Sequence, residues 1–150
     1  MGAVGQVSTP SVYLDTNAFI YWLEGSPTYA DQLRSLFGCL EGGKIQATTS
    51  ELALAELLVK PIAEGNAAME HACEEFLTSR RNLALVPVSR QVLLRAARIR
   101  ALERVRLPDA IHVATALLSG CEVFLTNDRQ LLQVSAVHVC LLSDWSPPCA

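Results

Sequence analysis

Four carboxylates spread along this 150-residue chain have the residue types and positions for metal chemistry. Asp15 ends the run SVYLD, Glu56 lies in ELALAELLVKP, Asp109 sits in RLPDAIHVATALLSG and Asp128 follows VFLTN. An apolar run that stops at an acid marks the carboxyl edge of an α/β sheet, beyond which ligands and metals bind. Brought together there, four acids would repel one another unless cations held them. Carboxylate oxygens suit hard ions such as Mg²⁺ or Mn²⁺, so the implied chemistry is metal-dependent hydrolysis.

Each acid also has a structural use. Asp15 precedes a helix and can cap it, but Thr16 and Asn17 are cap formers too, so the helix does not depend on Asp15. Thr48 and Glu51 have the spacing of a capping box, which accounts for Glu51 without chemistry. Glu56 lies inside an apolar helix, where its alternative is a pair with Lys60 worth only about 0.3 kcal/mol, and it is the favoured ligand. Asp109 occupies the first turn of a nearly all-apolar helix, where the helix dipole is the alternative. His112, one turn on, reads as a packing histidine in preference to a ligand or base. Thr126, Asn127 and Asp128 could form an ordinary Asx turn.

To position these acids, strands must alternate with helices. Hydrophobic periodicity predicts strands over Val12–Leu14, Lys44–Thr48, Leu83–Val88, Cys121–Thr126 and Val137–Leu142. Between them it predicts helices over Asn17–Glu24, Tyr29–Leu40 and Asn66–Thr78, and one that Pro61 terminates after Lys60. An Arg-rich helix is capped by Ser89, the next is opened by Pro108 and closed by Gly120, and Arg129–Leu132 forms a helical turn. The alternation implies right-handed crossovers and a mainly parallel sheet covered on both faces.

A chain of this length with 51% hydrophobic residue types fits one buried domain spanning residues 1–150, with residues 1–10 as a flexible tail. No apolar stretch reaches the roughly 18 residues that span a bilayer, and the start lacks signal-peptide character, so a cytoplasmic protein without a membrane partner is expected. Five scattered cysteines without a CxxC pair suit reduced thiols. The net charge of −3 argues against bulk attraction to nucleic acid, yet eight of the twelve Lys and Arg residues fall between Arg80 and Arg106 beside one acid, Glu103. Such a segment can attract backbone phosphates to an anionic site or can be a solvated helix face, and both readings stay open.

With these segments in order, LDTNAFIYWLEG, SELALAELL, LPDAIHVATALLSG and FLTND, the chain resembles the PIN-domain nucleases, particularly VapC-like toxins of toxin–antitoxin pairs. The resemblance covers residues 11 to 142. It implies a three-layer α/β/α fold and a metal-dependent endoribonuclease. It matches Asp15, Glu56, Asp109 and Asp128 to the family's metal-binding, catalytic acids, and Asn17 and Thr126 to its supporting polar positions. Some members carry a further acid after the last aspartate, where this chain has Arg129 and Gln130, so one ion or two is left open. Water activated at the metal would attack RNA in line, leaving a 5′-phosphate and a 3′-hydroxyl. A cognate antitoxin is implied as partner, with Phe19, Ile20, Tyr21 and Trp22 as its anchor; core packing or a homodimer contact is the alternative use of these residues.

Rival readings are weaker. A haloacid-dehalogenase-type phosphotransferase needs an acid where this chain has Asn17, and a receiver-like module needs a late lysine, whereas Lys44 and Lys60 both lie early. A housekeeping PIN nuclease or a catalytically silent PIN-fold binding module is the remaining alternative.

Overall fold

A computed structural model of the chain describes residues 9–148. The expected tail falls mostly on residues 1–8, outside the described residues, as does Cys149. Five strands form one all-parallel sheet: β1 (Ser11–Leu14), β2 (Gln46–Ser50), β3 (Leu83–Val86), β4 (Val123–Thr126) and β5 (Val139–Leu141), in the spatial order β3-β2-β1-β4-β5. The helices are α1 (Thr16–Leu23), α2 (Ala30–Glu41), α3 (Leu52–Ala63), α4 (Ala67–Thr78), α5 (Arg90–Glu103) and α6 (Leu107–Leu118). The chain winds from β1 out to β3, then returns past β1 to wind the other way through β4 and β5. The β1/β4 boundary is thus the point where strand order reverses, and open α/β sheets bind ligands beyond the carboxyl ends at such a point.

Strand periodicity sorts the core into two layers. Val12, Leu14 and Leu125 face one side and pack with Phe19, Leu36, Phe37, Leu57 and Leu77 of α1 to α4. Tyr13 and Phe124 face the other, stacked with ring centroids 5.0 Å apart, and pack with Val92, Ile99, Val113 and Ala114 of α5 and α6. This is the expected three-layer α/β/α arrangement.

Several expected boundaries move for local reasons. β2 runs on through Thr49 and Ser50, which pair with Leu85 and Val86, so Thr48 lies within the strand and cannot cap the following helix. The Thr48/Glu51 capping box is therefore absent; Ser50 Oγ instead accepts a bond from Leu52 N at 3.1 Å, and Glu51 is exposed. Pro61 does not stop α3, which continues to Ala63. The proline stands in the last turn, where its buried ring offsets the loss of one intrahelical donor. β3 ends at Val86 because Pro87 cannot continue the ladder. β4 begins only at Val123, since Cys121 N is held by Ala116 O in the turn after α6, where Gly120 takes φ 69°. β5 is likewise shorter than expected, and the helical turn after Asp128 is a 3-10 helix over Arg129–Gln133. Ser89 caps α5 and Pro108 stands in the first turn of α6, as expected, while Asn66, expected as the first residue of α4, is its N-cap. No helix among the described residues is long and apolar enough to cross a membrane.

Candidate functional site

The reversal point brings together the ends of β1 and β4. Asp15 directly follows β1, and its backbone N donates to Leu125 O of β4 at 3.0 Å. Its carboxylate is buried and caps α1, with Oδ1 accepting from Thr16 N at 2.8 Å. The other oxygen accepts from Thr126 Oγ1 at 2.7 Å and, more weakly, from Asn17 Nδ2 at 3.5 Å. Capping and the candidate functional position thus coincide in one residue. Thr126 also accepts from Asp128 N at 3.0 Å, and Asn17 Oδ1 accepts from Asn127 N at 3.3 Å. Thr126 and Asn17 therefore clamp the turn after β4 against the start of α1. The turn expected over Thr126–Asp128 is closed by the Thr126 hydroxyl, and Asp128 begins an Asx turn of its own at the same edge, accepting from Gln130 N at 2.9 Å.

Glu56 reaches this edge from the middle of α3. It does not pair with Lys60, which instead bonds Glu24 at 2.9 Å. Its Oε1 accepts from Thr16 Oγ1 at 2.9 Å and from His112 Nε2 at 2.5 Å. His112 is 1% exposed, and its Nδ1 lies 2.6 Å from the Tyr13 hydroxyl. A packing histidine was expected; the ring is that, but it also fixes Glu56. Nε2–H donates to Glu56 whether the ring is neutral or charged, and Nδ1 accepts from Tyr13 O–H when it is neutral. Tyr13 and Thr16 carry no chemical signal in the sequence beyond strand and cap patterning. The nearest clue to this network is that His112 stands one helical turn after Asp109.

Asp109 opens α6 and is bonded by Arg106 Nε at 3.4 Å. Burial pushes the carboxyls of both Asp15 and Asp109 upward. His112, Thr126 and Thr16 oppose this at Asp15, and Arg106 opposes it at Asp109. The charge of Asp109 adds to the rise at Asp15, and that of Asp128 to the rise at Asp109. Burial also works against the charge on Glu56, but His112, Thr16 and Arg106 outweigh it and hold this carboxyl below its ordinary value. Asp15 thus feels the charge of Asp109, and Asp109 that of Asp128, while Glu56 is a settled anion.

Hard oxygen donors in mutual repulsion fit a divalent cation. As they stand, each has protein partners, and among the described residues no three His, Cys, Asp or Glu groups are gathered closely enough to hold an ion directly. Beside Glu56, a cleft of about 160 Å³ between α1, α3 and α4 is lined by Ile20, Leu23, Leu57, Pro61, Met69 and Cys73. Phe19 is fully buried and, unlike Ile20, Tyr21 and Trp22, cannot meet a partner. The Arg80–Arg106 segment divides: Arg80 is fixed by Glu41 at 2.5 Å and lies 3.9 Å over the Phe76 ring, and Arg100 donates to Val105 O at 2.5 Å. Arg90, Arg95 and Arg98 are exposed.

The PIN domain family model matches residues 12–137. No curated protein matches the chain. Among solved structures, a DNA-bound VapBC from Salmonella typhimurium is similar with a TM-score of 0.71 and 22% identity, over 89% of this chain and 98% of the other. VapBC2 from Rickettsia felis, bound to a DNA fragment from its promoter, gives a TM-score of 0.70 and 17% identity over 87% and 98%. Mycobacterium tuberculosis VapC20, a sarcin–ricin loop cleaving toxin, gives 0.61 and 15% over 75% and 86%.

Proposed function

The chain belongs to the PIN-domain family, and on that premise we propose that it is a metal-dependent endoribonuclease acting as the toxin of a toxin–antitoxin pair. What supports this reading is that Asp15 follows β1 at the carboxyl edge where strand order reverses, with Asp109 near enough to act on its charge, Asp128 near enough to act on that of Asp109, and Glu56 tied to the same helix start through Thr16. Asp15, Asp109 and Asp128 would hold Mg²⁺ or Mn²⁺ directly or through water, with Glu56 as a further ligand or as the group that orients the attacking water. When bound, the cation supplies an acidified water and stabilises charge developing on a phosphoryl oxygen. The residues of the chain do the rest. His112 and Thr16 fix the Glu56 carboxylate so that it can accept a proton-bearing water, and Thr126 and Asn17 hold Oδ2 of Asp15 in place. No covalent nucleophile is needed. VapC20 supports an RNA substrate, as a toxin that cleaves the sarcin–ricin loop.

The cation requirement has a direct thermal readout. Millimolar Mn²⁺ or Mg²⁺ should raise the melting temperature by about 5–10 °C, the effect of a ligand at roughly a hundredfold excess over its Kd on a protein of this size, and EDTA should reverse it. Glu56→Gln should show a smaller shift. Melting indifferent to metal in both proteins would remove the main support of the four-acid site.

The VapBC structures are toxin–antitoxin assemblies, and they support an antitoxin for this chain. Its segment would lie in the cleft of α1, α3 and α4, where apolar side chains could pack on Ile20, Leu57 and Met69 and a basic side chain could reach Glu24, Glu56 or Glu64. Co-expression with a small adjoining open reading frame should restore growth of cells making this protein and yield a stable complex. A protein harmless on its own and without such a complex would leave a housekeeping nuclease as the better account.

A further inference from the structure

Arg106 stands in the candidate site with an arrangement that its role as helix N-cap does not require. The backbone fills the cap position of α6, yet the side chain makes no capping bond. The guanidinium turns instead to the acids: Nε lies 3.4 Å from Asp109 Oδ2, and its charge also reaches Glu56. This hold is weak. The contact is long and single, the Arg106 side chain is 79% exposed against 16% for Asp109, and exposed ion pairs of this kind contribute about 0–1 kcal/mol. Among the described residues the four terminal N–H donors of Arg106 have no partner. A guanidinium that keeps two parallel N–H groups free beside these carboxylates matches the fork geometry of a phosphodiester.

We propose that Arg106 alternates between two partners: it neutralises Asp109 in the cation-free protein and, once released from that carboxylate, binds the RNA backbone phosphate beside the scissile bond. This rests on the reading of the β1/β4 carboxyl edge as a nuclease centre and assigns it a substrate-positioning residue. Two consequences of opposite sign follow. Arg106 competes with any cation for Asp109, so its removal eases cation binding. Arg106 also supplies one phosphate contact, so its removal weakens RNA binding. A residue with a merely structural role would do neither.

The test compares wild type with Arg106→Gln and Arg106→Lys, substitutions at an exposed side chain that leave the core untouched. Thermal melting against Mn²⁺ concentration should show the half-effect point of Arg106→Gln several-fold lower than that of wild type. Anisotropy of a labelled single-stranded phosphorothioate RNA should show weaker binding, with the salt slope reduced by about 0.7, the value of one contact to a single strand. For cleavage of unmodified RNA, KM should rise on the order of tenfold with kcat changed less than about threefold, a loss confined to binding. Arg106→Lys should keep the salt slope but recover KM only in part, having the charge without the fork. A higher Mn²⁺ requirement in Arg106→Gln, or an unchanged salt slope, would overturn the proposal. Failure of the nuclease reading is separable: wild type would not cut RNA, while melting and anisotropy would still report on Arg106.

Discussion

Asp15→Asn or Asp128→Asn is expected to abolish RNA cleavage, with a loss on the order of a thousandfold or more, while the purified protein stays folded. A bound cation stabilises transition-state charge by several kcal/mol, and each 1.36 kcal/mol is about a tenfold change in rate. The Asp15 variant has a second, opposite readout. Burial raises the Asp15 carboxyl above its ordinary value, so the folded state binds the proton more tightly than the unfolded chain does. Stability from this group is fully present below its unfolded pKa and is lost as pH rises through its higher folded one. Asp109 behaves in the same way, whereas the lowered Glu56 carboxyl contributes stability above its unfolded pKa that is lost as pH falls through the folded one. In EDTA at neutral pH, Asp15→Asn should therefore melt at least as high as wild type, with the advantage shrinking toward pH 4. Wild-type cleavage by Asp128→Asn would remove that residue from the mechanism, and a lower melting point for Asp15→Asn in EDTA would show that its hydrogen bonds outweigh its charge.

The largest effect on stability is expected at His112. His112→Ala would open a cavity beneath α6, take from the Tyr13 hydroxyl its imidazole partner and leave Glu56 with Thr16 as its remaining donor. Lost packing and two lost buried hydrogen bonds together cost about 3–5 kcal/mol. Urea unfolding should show that loss, and thermal melting a fall on the order of 10 °C. Because His112 no longer opposes the effect of burial on Glu56, the metal-dependent melting shift should shrink as well. A His112→Ala protein as stable as wild type would mean that the Tyr13–His112–Glu56 chain does not hold α3 and α6 to β1.

Much of this arrangement was readable from residue order. Alternation of apolar strands with helices predicts the parallel three-layer fold because each strand buried on both faces reads as a short apolar run. Asp15 and Asp128 are legible because each follows such a run directly. Glu56 is legible as an acid on a helix too apolar to leave it idle. The boundaries are less so: Thr48 has capping-box spacing, but β2 pairing with β3 claims it, a preference that exists only once the strands are neighbours. Pro61 reads as a stop signal until the burial of its ring is known. The pairing of His112 with both Tyr13 and Glu56 joins residues 99 and 56 positions apart, which no local pattern encodes. Arg106 reads as one arginine among eight, and its place beside Asp109 appears only when α6 has a direction.

The chemistry of the cut ends tests the central claim most directly. Purified protein incubated with single-stranded RNA should cut only when Mn²⁺ or Mg²⁺ is supplied, stop on addition of EDTA, and leave products with a 5′-phosphate and a 3′-hydroxyl, as attack by water requires. Cleavage that persists in EDTA, or products ending in a 2′,3′-cyclic phosphate, would contradict the account.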